Sequence, residues 1–276
     1  MQSLAHAFRS AARQYAERIA VIADGVDLDY RRLDEQSDAF AATPADRCVV
    51  KGDRIGLSCM NSPLFVIAYL GIIKAGATVV PINLLINTSE MAFILNDAGA
   101  KGLVYHAAFS AQVEVLHTLL TSLRFAVSLG SDANGGLNWE ELSGSVAQTP
   151  TIEFNAQEDL AVILYTSGTT GKPKGAMLTH GNLLANVASV QQAMQWQPGG
   201  DTVLVVLPMF HAFAGTVGLL TPLLCGCTIA TLPRFEPELV AKTIEETRAT
   251  IFLGVPSMFT VLLRLKPERA QALESL

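Results

Sequence analysis

The sequence predicts an α/β protein of layered sheets with flanking helices, arranged as two similar-sized subdomains over residues 1–150 and 151–276. Three observations carry this expectation. Short runs of Val, Ile, Leu and Ala alternate with segments of helical apolar spacing along most of the chain. Helix-start and helix-stop residues, such as Pro63 and Gly76, punctuate the alternation. Over residues 130–157 the apolar periodicity dissolves into Ser, Asn, Gly and Thr, apart from a short turn from Trp139 to Leu142, which sets the expected boundary.

In chain order, Leu4, Phe8, Ala12 and Tyr15 fall on one helical face, and a strand is expected at 19–23. The Asp24-Gly25 turn then leads into Leu28-Asp29-Tyr30 as a hairpin, before a helix over 33–42. A β-α-β unit follows. It has a strand at 54–60, Ser62 as N-cap, Pro63 at the first helical position, a mostly buried helix over 64–74 and a strand at 77–82. Thr88 is read as the cap of a helix to about 97, then come a strand at 103–105, a helix at 113–120 and a strand at 125–129. The second half opens with a strand at 160–164. A helix over 181–194 is capped by Thr179, with Leu183, Leu184, Val187 and Met194 inward. Strands at 203–207, 227–232 and 250–253 alternate with helices at 215–224, 237–248 and from 257. No fixed-period repeat is found. Helical spacing persists to Leu276 without a terminator, so the chain reads as a truncated piece of a longer protein.

Half of the 276 residues are hydrophobic and 16% are charged, which excludes global disorder. A formal net charge of −6 argues against nucleic acid as partner. The N-terminus lacks the apolar core of a secretory signal, so the cytoplasm is expected, or a peripheral position at a membrane. Residues 202–233 carry no Asp, Glu, Lys or Arg, yet Pro208, His211, Gly215, Gly218, Pro222 and Gly226 cut the run too short to span a bilayer. Cys48, Cys59, Cys225 and Cys227 show no metal-binding spacing and are expected to be buried, reduced thiols.

The chemistry concentrates in Tyr165-Thr166-Ser167-Gly168-Thr169-Thr170-Gly171-Lys172-Pro173-Lys174-Gly175, a polar loop hung on the apolar strand before it. Three glycines allow close backbone approach to a ligand, while four aliphatic hydroxyls and two ammonium groups supply donors and positive charge. No Asp or Glu lies between Asp159 and Asp201, so a polyphosphate meets no carboxylate repulsion in sequence. Neither a Walker loop nor a G-x-G-x-x-G fingerprint occurs.

This string resembles the phosphate-binding signature of the adenylate-forming ligases, which include acyl-CoA synthetases, luciferases and peptide-synthetase adenylation domains. Lys51-Gly52-Asp53-Arg54-Ile55, Ala75-Gly76-Ala77 through Asn83, and Leu207-Pro208-Met209-Phe210-His211 resemble that family's landmarks in the same order. The Gly-Asp-Arg and Ala-Gly-Ala pieces read physically as turns and helix stops. One departure is Cys48, where such ligases often carry glycine.

The resemblance implies the N-terminal domain of such a ligase, most like a long-chain fatty-acid–CoA ligase. It implies MgATP and coenzyme A as partners of a small carboxylic acid, and it leaves room for a homodimer. Thr166, Ser167, Gly168, Thr169, Thr170, Gly171, Lys172 and Lys174 would hold the nucleotide phosphates, Thr166 also magnesium, and Lys174 and His211 would take catalytic roles. Phe210, His211, Phe213, Gly215 and Gly254 would line the acid pocket, whose uncharged, apolar composition fits an apolar acyl tail better than a dicarboxylate; a fatty acid is the first expectation and an aryl acid the second. The family's magnesium-binding glutamate, ribose-binding aspartate and mobile lysine domain would lie beyond Leu276, leaving this piece inactive alone. A non-catalytic binding or scaffold module is the competing expectation. A hydrolase is disfavoured, because there is no G-x-S-x-G elbow and no H-E-x-x-H.

Overall fold

The structure, a computed structural model, describes residues 3–23, 25–45, 47–120, 122–130, 137–139, 151–166, 172–266, 269 and 271–276. Its strands are β1 (Ile19–Ala23), β2 (Val26–Asp29), β3 (Arg54–Ser58), β4 (Thr78–Pro81), β5 (Ala100–His106), β6 (Phe125–Leu129), β7 (Leu137–Asn138), β8 (Leu160–Thr166), β9 (Lys174–Thr179), β10 (Thr202–Val205), β11 (Thr228–Thr231) and β12 (Ile251–Leu253). The helices are α1 (Leu4–Gln14), α2 (Tyr30–Ala45), α3 (Pro63–Lys74), α4 (Thr88–Asp97), α5 (Ser110–Leu119), α6 (His180–Met194), α7 (Thr221–Leu224), α8 (Pro237–Thr247) and α9 (Pro256–Leu262). Among the described residues no helix is long and apolar enough to cross a membrane.

The division of the chain differs from the expected cut at 150/151. One compact unit comprises Met1–His6, Glu35–Met60 and Leu64–Leu184, and the other Ala7–Asp34, Asn61–Pro63 and Ala185–Leu276. The reason is strand pairing. In the first unit β8 lies parallel to β4, so β8 and β9 complete a sheet ordered β7-β6-β5-β3-β4-β8-β9. In the second, β1 lies parallel to β11 in a sheet ordered β12-β10-β11-β1-β2. The disordered-looking composition at 130–157 therefore marks a connection between strands of one sheet, and most of that stretch lies outside the described residues.

The first unit's core is aliphatic, with Val80, Ile82, Met91, Ile94, Leu103, Val113, Leu116 and Ile163 clustered against one face of the sheet. Helix α3 is buried on almost every side, which is why it reads as a nearly continuous apolar run. Its Lys74 is buried and pairs with Asp38 at 2.9 Å. The turn entering β3 has a specific task for each residue. The Val50 N–H donates to Asp53 Oδ2 at 3.0 Å, Gly52 takes φ +85°, and Arg54 donates Nε to Ala98 O at 2.6 Å and Nη2 to Gly99 O at 3.3 Å. Arg54 thus satisfies carbonyls left open at the end of α4, where a cation is also favoured by the helix dipole.

Several local details differ from the expectations. Asn87, not Thr88, caps α4, its Oδ1 accepting from Glu90 N at 2.9 Å. Tyr30 opens α2 instead of closing a strand. Met194 is about half exposed while Leu183 and Val187 are buried, so the inward face of α6 fades toward its end. Thr179 does cap that helix, since its Oγ1 accepts from Asn182 N at 3.1 Å and Asn182 Oδ1 accepts from Thr179 N at 3.0 Å. Of the cysteines, Cys59, Cys225 and Cys227 are buried and free, but Cys48 is exposed and free. Burial pushes the Cys225 thiol up to about 11, well away from reactive thiolate character.

Candidate functional site

In the first unit, β8 and β9 form an antiparallel hairpin in which Thr166 faces Lys174 and Tyr165 faces Gly175. The polar loop is therefore narrower than its sequence suggests, spanning 167–173 between paired strand ends. Burial falls along β8 from the fully buried Ala161 and Val162 to the exposed Thr166. A buried root thus runs out to an exposed strand end at Thr166. Lys172 and Lys174 are exposed, and among the described residues neither has a carboxylate partner. Ser167, Gly168, Thr169, Thr170 and Gly171 lie outside the described residues.

The hairpin's base is held by contacts that composition alone does not reveal. Tyr165 donates its Oη to Asp97 Oδ2 at 2.6 Å, and burial followed by that carboxylate raises the phenol well above its ordinary value. A Cβ on Gly175 would meet Ile163 Cγ2 at 2.7 Å and Tyr165 Cζ at 3.0 Å, so the glycine makes room for the tyrosine ring across the strand pair. Entry to β8 is fastened by Lys51, whose Nζ donates to Glu153 O and Asp159 Oδ2, both at 2.7 Å. At the far end of β9, buried His180 accepts the Leu4 N–H on Nδ1 at 3.3 Å and meets the Phe154 ring edge-on at 4.9 Å.

In the second unit, β10, β11 and β12 are parallel, so the segments after β10 and β12 leave the same carboxyl edge, a location where α/β sheets commonly bind ligands. After β10 the chain makes a tight turn in which His211 N donates to Pro208 O at 3.0 Å and Gly215 N to His211 O at 2.7 Å. Phe210 is buried with its ring 4.7 Å from that of His211, whereas His211 and Phe213 are exposed. Residues Ala214–Leu220 then wind with i→i+5 bonds, Thr221 N donating to Thr216 O. Such widened turns are rare and are frequent at functional sites. A Cβ on Gly218 would lie 3.1 Å from Val205 Cγ1, so glycine lets this segment pack closely on β10. Gly254 follows β12, next to β10 in the sheet, and a Cβ there would meet the Phe252 and Phe259 rings at 2.8 and 3.1 Å.

The structure thus gathers Thr166, Lys172 and Lys174 on one hairpin of the first unit. It gathers Phe210, His211, Phe213 and Gly215 in one loop of the second, with Gly254 on the same sheet edge. The bond from Tyr165 to Asp97 and the part played by Asn61 escaped the sequence-based reading. Asn61 stands one residue before the expected N-cap, where an Asn in an ordinary helix lead-in carries no distinguishing signal.

The AMP-binding enzyme family matches residues 8–276. The chain belongs to that family. A long-chain-fatty-acid–CoA ligase of Salmonella typhimurium is 33% identical over 296 residues, covering 96% of this chain and 53% of that protein. The chain therefore spans about half the length of the curated relatives it matches. The inhibitor-bound N-terminal domain of FACL13 from Mycobacterium tuberculosis superposes with a TM-score of 0.87 at 28% identity, covering 98% of this chain and 67% of that one. ATP-bound MatB from Rhodopseudomonas palustris superposes with a TM-score of 0.85 at 27% identity, covering 99% and 54% respectively. The α/β architecture of two helix-flanked sheets is that of the N-terminal domain of adenylate-forming ligases.

Proposed function

We propose that the protein carrying this chain activates a carboxylic acid, a fatty acid in the first instance, as its acyl-adenylate and passes the acyl group to coenzyme A. A carboxylate resists thiol attack because its charge repels the nucleophile and oxide is a poor leaving group. Adenylation removes both obstacles. The carboxylate oxygen bonds to the α-phosphorus of ATP as the bond to pyrophosphate breaks. The thiol sulfur then bonds to the carbonyl carbon, loses its proton, and AMP leaves.

The observation that carries this reading is the β8–β9 hairpin, a buried root with a glycine- and hydroxyl-rich tip whose two lysines are unpaired among the described residues. Backbone N–H groups and hydroxyls of 166–170, with Lys172 and Lys174, would hold the β- and γ-phosphates as charge accumulates on departing pyrophosphate. The exposed Thr166 hydroxyl suits one ligand position for magnesium. The remaining coordination would come from phosphate oxygens, water and, as the resemblance implies, a glutamate beyond Leu276. Bound magnesium would add further positive charge beside the same phosphates. His211, Phe210, Phe213, Gly215 and Gly254 would border the acid, and the uncharged stretch 202–233 favours an apolar tail. The 1–276 piece alone would bind nucleotide weakly and would not complete the reaction.

The test is acid-dependent exchange of pyrophosphate into ATP by the full-length protein across fatty, aryl, dicarboxylic and amino acids. Fatty acids should support exchange, and Lys174→Ala and Thr170→Ala should each slow it by about 10- to 1000-fold. Parent-rate exchange in both variants would remove the phosphate role from the loop. Exchange with amino acids or dicarboxylates but no fatty acid would refute the substrate class, and robust acyl-AMP formation by residues 1–276 would refute the expected inactivity of the piece.

A further inference from the structure

We propose that Asn61 is a positioning residue that aims the loop bearing Phe210 and His211. Its side chain is 6% exposed and engages backbone in three places within the second unit. Nδ2 donates to Leu207 O at 3.0 Å and to Leu232 O at 3.3 Å, while Oδ1 accepts from Met209 N at 2.8 Å. Two carbonyls on one side and one N–H on the other leave the carboxamide a single orientation.

The location gives these bonds their meaning. Leu232 directly follows β11, and Leu207 and Met209 lie just past β10, its parallel neighbour. Thr231 Oγ1 and Leu232 N already tie the end of β11 to Val205 O, both at 3.1 Å. Asn61 takes over where that ladder stops. By holding both Leu207 and Met209 it fixes the peptides around Pro208, and Pro208 O accepts the His211 N–H. The direction in which Phe210 and His211 leave the sheet is therefore set by one buried amide from a distant part of the chain. A carboxylate at this position would keep the acceptor for Met209 but turn an oxygen toward the carbonyls of Leu207 and Leu232.

The role in turnover rests on the adenylation reading; the role in holding the loop does not. In the full-length protein, Asn61→Asp should lower kcat/KM for the acid by about 10- to 100-fold with KM for ATP unchanged. Because Asn61 acts through the loop, adding it to His211→Ala should cost less than the product of the two separate losses. Hydrogen exchange should quicken at the Met209 and His211 amides while β10 and β11 stay protected. Asn61→Ser, whose one short hydroxyl replaces both the amide donor and the carbonyl acceptor without adding charge, should shift the same amides.

Losses that multiply, or unchanged exchange at Met209 in Asn61→Ser, would overturn the proposal. So would loss of protection throughout β10 and β11 in both variants, which would make Asn61 a general support of the sheet. If the parent protein shows no acid-dependent pyrophosphate exchange, the adenylation reading fails, and the hydrogen-exchange comparison still decides whether Asn61 holds the loop.

Discussion

Cys48 holds a backbone φ of +56°, in the left-handed region that disfavours a side chain, at a position where adenylate-forming ligases often carry glycine. Its immediate neighbours do not announce this, because the strain belongs to the turn and not to the thiol; the family's frequent glycine was the one hint. Cys48→Gly should raise unfolding free energy by about 1 kcal/mol, read as a higher denaturant midpoint at unchanged slope. His180 makes a sharper residue-scale case. Burial lowers its imidazole from 6.5 to about 4, with Lys51 assisting and Asp159 opposing, while Nδ1 accepts from the Leu4 N–H. Protonation would place a hydrogen between two donors. Between pH 6.5 and 4 the unfolded chain binds the proton more readily than the folded one. The contribution is therefore complete above 6.5 and is lost as pH falls toward 4, by up to roughly 3 kcal/mol. His180→Asn keeps an acceptor without the titration, so thermal midpoints measured from pH 7 to pH 4 should fall less steeply than in the parent.

The β8–β9 hairpin shows where local pattern suffices and where it does not. An apolar run followed by a glycine- and lysine-rich stretch made the strand and polar tip legible, and β-α-β alternation did the same for β3, α3 and β4. The antiparallel return through Lys174 to Thr179 was less visible, because Thr179 is the single β-branched residue in a strand that otherwise holds Lys174, Gly175, Ala176, Met177 and Leu178. Invisible too was the reason for Gly175, which lies in the ring of a residue ten positions earlier. Gly175→Ala should cost about 1 to 3 kcal/mol and displace Tyr165 from Asp97. Equilibrium unfolding and the tyrosine near-ultraviolet signal would register both, and an unaltered tyrosine signal would count against the packing described here. The i→i+5 turn over 214–220 was likewise expected as plain helix, since the same apolar residues serve either winding.

At the scale of the molecule, the alternation of elements was readable and their partners were not. Pairing of Val79 with Val162 and of Val21 with Ile229 joins residues far apart in sequence, and no short-range periodicity encodes such a choice. The expected boundary at 150/151 would cut β8 and β9 from β4, and β10 to β12 from β1 and β2. A piece comprising residues 151–276 should accordingly show no cooperative thermal transition by circular dichroism, whereas residues 1–276 should. A sharp transition in the shorter piece would mean that its strands have found other partners.

The bond between β1 and β11 also sets a schedule for biosynthesis. At ribosomal rates of about 5 to 20 residues per second, the segment that accepts Val21 is made roughly 10 to 40 s after Val21 itself. Throughout that interval an apolar strand waits with one side unclaimed, and the nascent chain is most exposed to wrong partners before its second sheet can close.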